Sequence, residues 1–550
     1  MASVLFPSRS DSAVTLLGKH PERVVNADNA ETINGHITTA PPAPSNTTAK
    51  STLEYLMHEP KPRLAKLLAT VHTPNNCFIK LHGEWYDVHA FAARHPGGEM
   101  ALRLGQGRDA TALFESYHVF ADHAKIESLL DKFRVSKADV ARLGLVTLES
   151  GLVGGNTTDF YPGEYGDEVG WRFDGAFRKA VVCAVRTYFE GEAKRRGVTL
   201  RESTKATFAK WVLIGGTGLL FAGSLRLLVA RPTPLRAVLC PVLGWLCGVN
   251  VFHDALHFAL STDAALNAVG GALFPFFSSS FAWRHQHVIG HHVHTNLPYR
   301  DPDLVHGTEI RREHARHPLA ALHRAQAHPL RVAWHFLVGT WLGLGAINDL
   351  KLVAFSPSQS YNGFVPRIPV SNAYLVWHFV GRVAYYVTQF GWPFYVLADA
   401  SFATRLAYSV LPATVFSFLF MLNTQINHLV PSAMQQEDNT GTDRGLDWTV
   451  HQVVTAQNFG SFENGGLAWY FHFWFSGALN MQIEHHLFPS VNGCHLPQVS
   501  LIVKEKCREF GVRYNCVSGY LEGMKEYLKH SRNMAEIGNS DGDILKEKKD

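Results

Sequence analysis

The chain has 550 residues, of which 46% are hydrophobic and 18% charged, with a formal net charge of +4. That length calls for more than one domain, and so small a net charge excludes a broad nucleic-acid-binding surface. Seven cysteines with no CxxC pair exclude a disulfide scaffold and fit a reducing, cytosol-facing setting, whereas thirty histidines are an unusual number.

Residues 1–60 are rich in Ser, Thr, Asn, Ala and Pro, and they read as a disordered segment. No apolar core long enough for a secretory signal occurs there, and Asp11, Glu22, Asp28 and Glu31 argue against a transit peptide. Residues 73–143 look like a small soluble domain. Within it, 78–88 (FIKLHGEWYDV) alternates apolar and polar residues around a glycine, the pattern of a β-hairpin. Short helical stretches follow.

Beyond residue 201 the chain turns apolar. Stretches 211–230, 237–252, 374–397 and 406–422 are candidate membrane helices, although the second is short and the third carries Arg382. Two weaker stretches, 264–283 and 332–347, suit an interfacial position. Short links at 231–236 and 399–403 make each pair of spans a hairpin, so the polar, His-rich sequence after each pair returns to one face of the membrane. Lys205, Lys210, Arg284, Arg311 and Arg312 favour a cytosolic His face, while Arg231 and Arg236 in the opposite loop do not. The end of the chain, 530–550, reads as a polar tail.

Two kinds of motif carry chemistry. The first is His95-Pro96-Gly97-Gly98, with His118 farther along. Proline fixes one backbone angle and the glycines permit a tight turn, which holds a histidine at the lip of a pocket. Two imidazoles on opposite walls would ligate a planar haem from both faces, leaving no open position, as suits electron transfer.

The second kind is a set of histidine boxes. His253 and His257 are spaced to share one helix face directly after the second apolar stretch. His287, His291 and His292 form a second box, again with an i, i+4 pair, followed by Asp301-Pro302-Asp303. Gln482, His485 and His486 form a third, and His428 follows the last apolar stretch. Imidazole suits Zn, Cu, Fe and Ni, so the ligand type leaves the metal open. The number of nitrogens is too large for one ion and fits two with positions left free. A haem electron donor in the same chain argues for redox iron over zinc. His285 and His294 fall outside the box pattern.

The first motif resembles a cytochrome b5 domain, through Trp85-Tyr86-Asp87-Val88, the His95 turn, Gly107-Arg108-Asp109-Ala110-Thr111 and Phe114. That resemblance implies haem b with His95 and His118 as axial ligands. The boxes resemble those of membrane fatty-acid desaturases over about 201–513, specifically the front-end type with a fused cytochrome b5 domain, whose third box opens with Gln as Gln482 does here. The expected architecture is therefore multi-domain: a small α+β haem-binding domain, then an all-α integral membrane desaturase domain with about four transmembrane helices in two hairpins. The resemblance implies two non-haem iron ions held by His253, His257, His287, His291, His292, His485 and His486, with Gln482 and His428 at further metal positions.

It also implies a cis double bond inserted between an existing one and the carboxyl end of a polyunsaturated acyl-CoA or acyl-phospholipid. One O2 and two electrons would be consumed and two waters released, the electrons coming from NADH through cytochrome b5 reductase and the fused haem. The second box reads HVIGHH, one residue longer than the commoner HxxHH, which points towards Δ5 on twenty-carbon chains, with Δ4, Δ6 and Δ8 as alternatives. Rival readings are a sphingoid long-chain-base desaturase, a di-iron lipid hydroxylase and a non-catalytic haem-binding membrane sensor. Lys546-Glu547-Lys548-Lys549-Asp550 resembles an endoplasmic-reticulum retrieval tail, so the expected location is that membrane, multi-pass, with haem domain and boxes facing the cytosol and no nucleic-acid partner.

Overall fold

The computed structural model describes residues 62–151, 170–276, 278–297, 300–304, 310–312, 321–341, 360–361, 365–434 and 447–536. The expected disordered segment 1–60 lies outside the described residues, as do 537–550 of the expected tail.

The expected hairpin forms. Strands Phe78–Leu81 and Glu84–Asp87 pair antiparallel with Ile79 opposite Tyr86. The link uses His82 and Gly83, both at positive φ, which gives the twist a two-residue hairpin turn needs. Ile79, Leu81, Tyr86 and Val88 turn inward with Cys77 and Ala110 to form a small core, and the short helices His89–Ala92, Glu99–Leu104, Thr111–Tyr117 and His123–Leu130 surround it. The domain begins earlier and closes later than 73–143. Helix Pro62–Thr70 packs Leu64 and Leu67 onto Leu148, and His72 Nε2 meets the Val146 carbonyl at 2.7 Å.

Among the described residues three helices are long and apolar enough to cross a membrane: Phe208–Ala230, Pro234–Leu256 and Phe402–Gln425. At about 1.5 Å per residue, 23 residues reach across a core of about 30 Å. The second span looked short in the sequence. It gains length by running through a π-helical turn, Val249–His253, into Asp254–Leu256. The third expected span forms the 25-residue helix Asn372–Val396, which is not among the three. Its Arg382 is buried and donates to the Pro275 carbonyl at 2.7 Å.

Thr207, Thr233, Ser371 and Ser401 cap the four helices through side-chain oxygens that accept from backbone N–H groups. The first two helices pack together, the second packs on the fourth, and the third packs on the fourth. Their outer faces stay apolar and uncovered, as at Phe208, Leu219, Trp377 and Phe402, which suits contact with lipid. The two stretches expected at the interface yield the helices Ala264–Gly270, Ser280–Trp283 and Pro329–Val338; 277 and 342–347 lie outside the described residues. An aromatic helix the sequence reading did not single out, Gly466–Ser476, leaves Leu467, Phe471 and Trp474 exposed. The last helix, Tyr520–Glu536, corrects the expected tail: 530–536 are helical, with His530, Ser531 and Met534 buried.

A candidate metal centre beneath a candidate haem site

In the small domain His95 and His118 face one another with ring centroids 6.0 Å apart. Two imidazoles with bonds of about 2 Å to one shared metal stand roughly this far apart. Between them lies a cavity of about 630 Å³ lined by Ile79, Val88, Leu102, Phe114 and Leu130, an apolar slot of the kind that takes a flat macrocycle. A Cβ on Gly97 would meet the His95 ring at 3.0 Å, so the turn needs glycine to bring the ring this close. His118 Nδ1–H donates to the Phe114 carbonyl at 3.0 Å in the tautomer that leaves Nε2 free. Burial, and then the neighbouring His118 ring, pull the pKa of His95 down to about 4, so the ring is neutral and can ligate. These features fit a haem.

The boxes converge into two buried groups of histidines whose ring nitrogens lie close enough to hold a metal: His253, His257, His287 and His485, and His291, His428 and His486. They come from the π-helical end of the second span, from the π-helical turn Arg284–His291 and the residue after it, from the loop after the fourth span, and from helix Gln482–Leu487. His292 lies between the groups, its ring 4.5 Å from that of His257 and 4.3 Å from that of His486. Its Nε2 is 3.2 Å from His287 Nε2, and His291 Nε2 is 3.3 Å from His428 Nε2. Gln482 reaches the second group, its amide 3.0 Å from His428 Nε2.

One expectation is corrected. His287 and His291 are spaced to share a centre, but they belong to different groups. The cause is the extra residue in the box. In a π-turn the backbone bonds run i to i+5, so residue 292 takes the place beside 287 that i+4 holds in an α-helix. His285 stays outside both groups, as expected, with one nitrogen on the Phe281 carbonyl and the other accepting the Ile368 N–H.

The Nε2 atoms of His253, His257, His485 and His486 are buried and have no hydrogen-bond partner. A buried polar nitrogen left bare is costly, and metal ligation accounts for the three in the first group and for His486 in the second. Burial holds His257, His287, His292, His485 and His486 well below the ordinary imidazole pKa, so their lone pairs are free. On four of the rings the opposite nitrogen is anchored, which fixes ring orientation. His257 Nδ1 meets Tyr117 Oη at 2.8 Å, His291 Nδ1 meets Asp301 Oδ2 at 3.0 Å, His428 Nδ1 meets the Thr455 carbonyl at 3.1 Å, and His486 Nδ1 meets Gln452 Oε1 at 2.8 Å.

Of the polar or bulky residues that stood near the boxes in the sequence, Gln452 touches a ring nitrogen and Trp283 packs on His287 at 4.5 Å. Asn458 instead accepts the backbone N–H of Ile483 in the third-box helix, and Asn480 donates to the Phe459 carbonyl. Tyr117 was missed, because nothing in its own neighbourhood ties it to a box 140 residues away.

The haem-type domain rests on the flanks of all three boxes. Tyr117 packs edge-on to Phe258 after the first box, Ala112 packs with Val293 after the second, and Phe120 stacks on Phe488 after the third at 5.8 Å. Glu115 and Arg178 close the contact with a buried ion pair of 2.7 Å.

Sequence comparison agrees with this geometry. The family model described as fatty acid desaturase matches residues 232–518, more than half of the chain. The chain belongs to that family. Residues 64–139 of this desaturase match the cytochrome b5-like heme/steroid binding domain. Similar curated proteins include an acyl-lipid (8-3)-desaturase B of Dictyostelium discoideum, 26% identical over 83% of this chain and 90% of its own length. The Delta(5) fatty acid desaturase A of the same organism is 26% identical over 87% of this chain and 94% of its own. A chloroplastic acyl-lipid (7-3)-desaturase of Chlamydomonas reinhardtii is 27% identical over 83% and 80%. The desaturase is an oxidoreductase; its b5-type domain points to haem, its histidine groups to iron, and its apolar helices to a membrane.

Proposed function

We propose that this chain is a front-end acyl desaturase that inserts a cis double bond between an existing one and the carboxyl end of a polyunsaturated acyl chain, at Δ5 of twenty-carbon substrates. The observation that carries the reading is the pair of buried histidine groups, with the Nε2 atoms of His253, His257, His485 and His486 bare, lying directly under a b5-type domain. His95 and His118 would hold haem b. His253, His257, His287 and His485 would hold one iron, and His291, His428 and His486 the other, with His292 between them and Gln482 beside His428. Two irons bound there supply the oxidising power, drawn from O2, that removal of hydrogen from an unactivated methylene requires.

The protein's own part is to orient and to exclude water. The anchored Nδ1 atoms of His257, His291, His428 and His486 would hold those rings in a fixed orientation for ligation. Trp283, Phe420 and Leu479 border a small space of about 30 Å³ beside the two groups, with Gln286, Asp303, Asn423 and Gln425 on its other sides. Two electrons per turnover would reach the haem from NADH through cytochrome b5 reductase. The names of the relatives include Delta(5) and (7-3) activities, so double-bond position is the finest part of the proposal. Membership in this family supports a membrane location, which we assign to the endoplasmic reticulum with a cytosolic haem domain.

The test is a fatty-acid profile of yeast expressing the chain, fed separately with polyunsaturated acids of eighteen, twenty and twenty-two carbons. A product two mass units lighter than the twenty-carbon substrate, with its new double bond at Δ5, is expected. A product at another position would correct the regiochemistry alone. None from a haem- and iron-loaded protein would overturn the acyl reading and shift attention to sphingoid bases.

A further inference from the structure

The b5-type domain does more than lie near the metal groups. Helix Thr111–Tyr117 ends one residue before His118. Tyr117 lines the cavity between the two haem-type histidines, and its Oη lies 2.8 Å from His257 Nδ1. One peptide bond and one hydrogen bond therefore join a residue facing the haem cavity to a residue of the four-histidine group. The next residue on the desaturase side, Phe258, holds φ at +56°. A bulky side chain pays a strain cost in this left-handed region and keeps it only where its surroundings enforce it. Here that conformation sets the Phe258 ring edge-on to Tyr117 at 5.8 Å. The last residue of the first box and its strained neighbour thus converge on a single tyrosine of the other domain.

The chemistry of the contact has a direction. When His257 Nε2 is free for a metal, Nδ1 carries the proton and donates it in a hydrogen bond to the phenol oxygen. The Tyr117 oxygen accepts it. No other side chain among the described residues is recorded within hydrogen-bond reach of His257 Nδ1. The haem-type domain alone supplies this anchor, whereas His291, His428 and His486 take theirs from the desaturase body.

We infer that Tyr117 is a positioning residue for the group of His253, His257, His287 and His485, and that this group reaches its ligating geometry only when the b5-type domain is docked. The inference rests on the proposed roles of these histidines as iron ligands. Docking and metal binding are then linked, and by reciprocity iron in that group holds the haem domain in place.

The test uses the full-length, haem-loaded protein and ferrous iron as the probe, with iron affinity measured by chelator competition and haem by its Soret band. Tyr117→Phe keeps the ring against Phe258 and removes the acceptor. It is expected to lower the affinity for one of the two irons by about 10- to 100-fold, with Soret band and haem content unchanged. Tyr117→Gln keeps an acceptor oxygen and loses the ring. Affinity recovered in Gln but not in Phe supports the hydrogen bond as the cause. Affinity kept in Phe and lost in Gln assigns the effect to packing and overturns the inference, as does wild-type affinity in both. Wild-type protein that holds haem but takes up no iron would overturn the desaturase reading itself, and it is recognised without any variant.

Discussion

The two candidate cofactor sites are built on opposite plans. His95 and His118 belong to one small domain, and its hairpin, turn and short helices set most of the slot between them, with Leu200, Arg201, Lys205 and Phe258 of the desaturase body lining the rest. The histidines beneath are drawn from segments spread between 253 and 486, and four of the rings are aimed by a partner from elsewhere: His257 by Tyr117, His291 by Asp301, His428 by Thr455 and His486 by Gln452. A site of the first kind survives damage to the rest of the molecule. A site of the second kind fails when any of several distant packings fails, because its geometry is a property of the whole membrane body.

The largest effect that can test this contrast is a crossed pair of ligand deletions. His486→Ala should abolish product and iron binding at the second group while leaving a full Soret band. His118→Ala should abolish the haem spectrum and NADH-driven turnover while iron content stays near that of the wild type. Metal analysis and optical spectra on the same samples read both, and loss of both cofactors in either variant would break the contrast.

Next in size is the seam between the two sites. Arg178→Met strips the partner from buried Glu115, and breaking such a pair by removing one member costs about 3–5 kcal/mol. His82, 3.1 Å from the same carboxylate, offsets part of that loss. The expected outcome is early release of the haem domain in limited proteolysis, with its Soret band intact.

The smallest effect expected is at Gly290→Ala. A Cβ there would meet Pro302 at 2.6 Å and the His285 carbonyl at 3.0 Å, and overpacking of this kind costs about 1–3 kcal/mol. Iron retention after purification should fall partially, with no change in haem. Unchanged iron would mean that the second box tolerates shifts that the convergence of rings here does not suggest.

How far the sequence could be read follows the same divide. The hairpin, the HPGG turn and the haem pair were legible because their determinants are neighbours in the chain. The boxes were legible as clusters of a residue type, and the pairing of His253 with His257 followed from helix spacing. The separation of His287 from His291 did not, because a π-turn changes which residues share a face and local composition does not announce one. The length of the second span was underread for the same reason at Val249–His253. Tyr117 was out of reach because its role depends on docking between domains, a contact with no periodicity to detect. The four long helices were found within a few residues at each end, with Thr and Ser caps setting their N-terminal boundaries.

The turn at Arg284–His291 also bears on how such proteins are recognised and re-engineered. A π-turn swallows one inserted residue locally and hands the chain on in its old phase, so His292 and Thr295 still reach His486. Motif length and ligand arrangement are therefore separate variables. A search pattern that insists on two residues between the first and second histidines of this box would pass over the chain, although its rings meet. A designer who shortened the box to that pattern would have to move the helix, since the space facing Gly290 is already filled by Pro302.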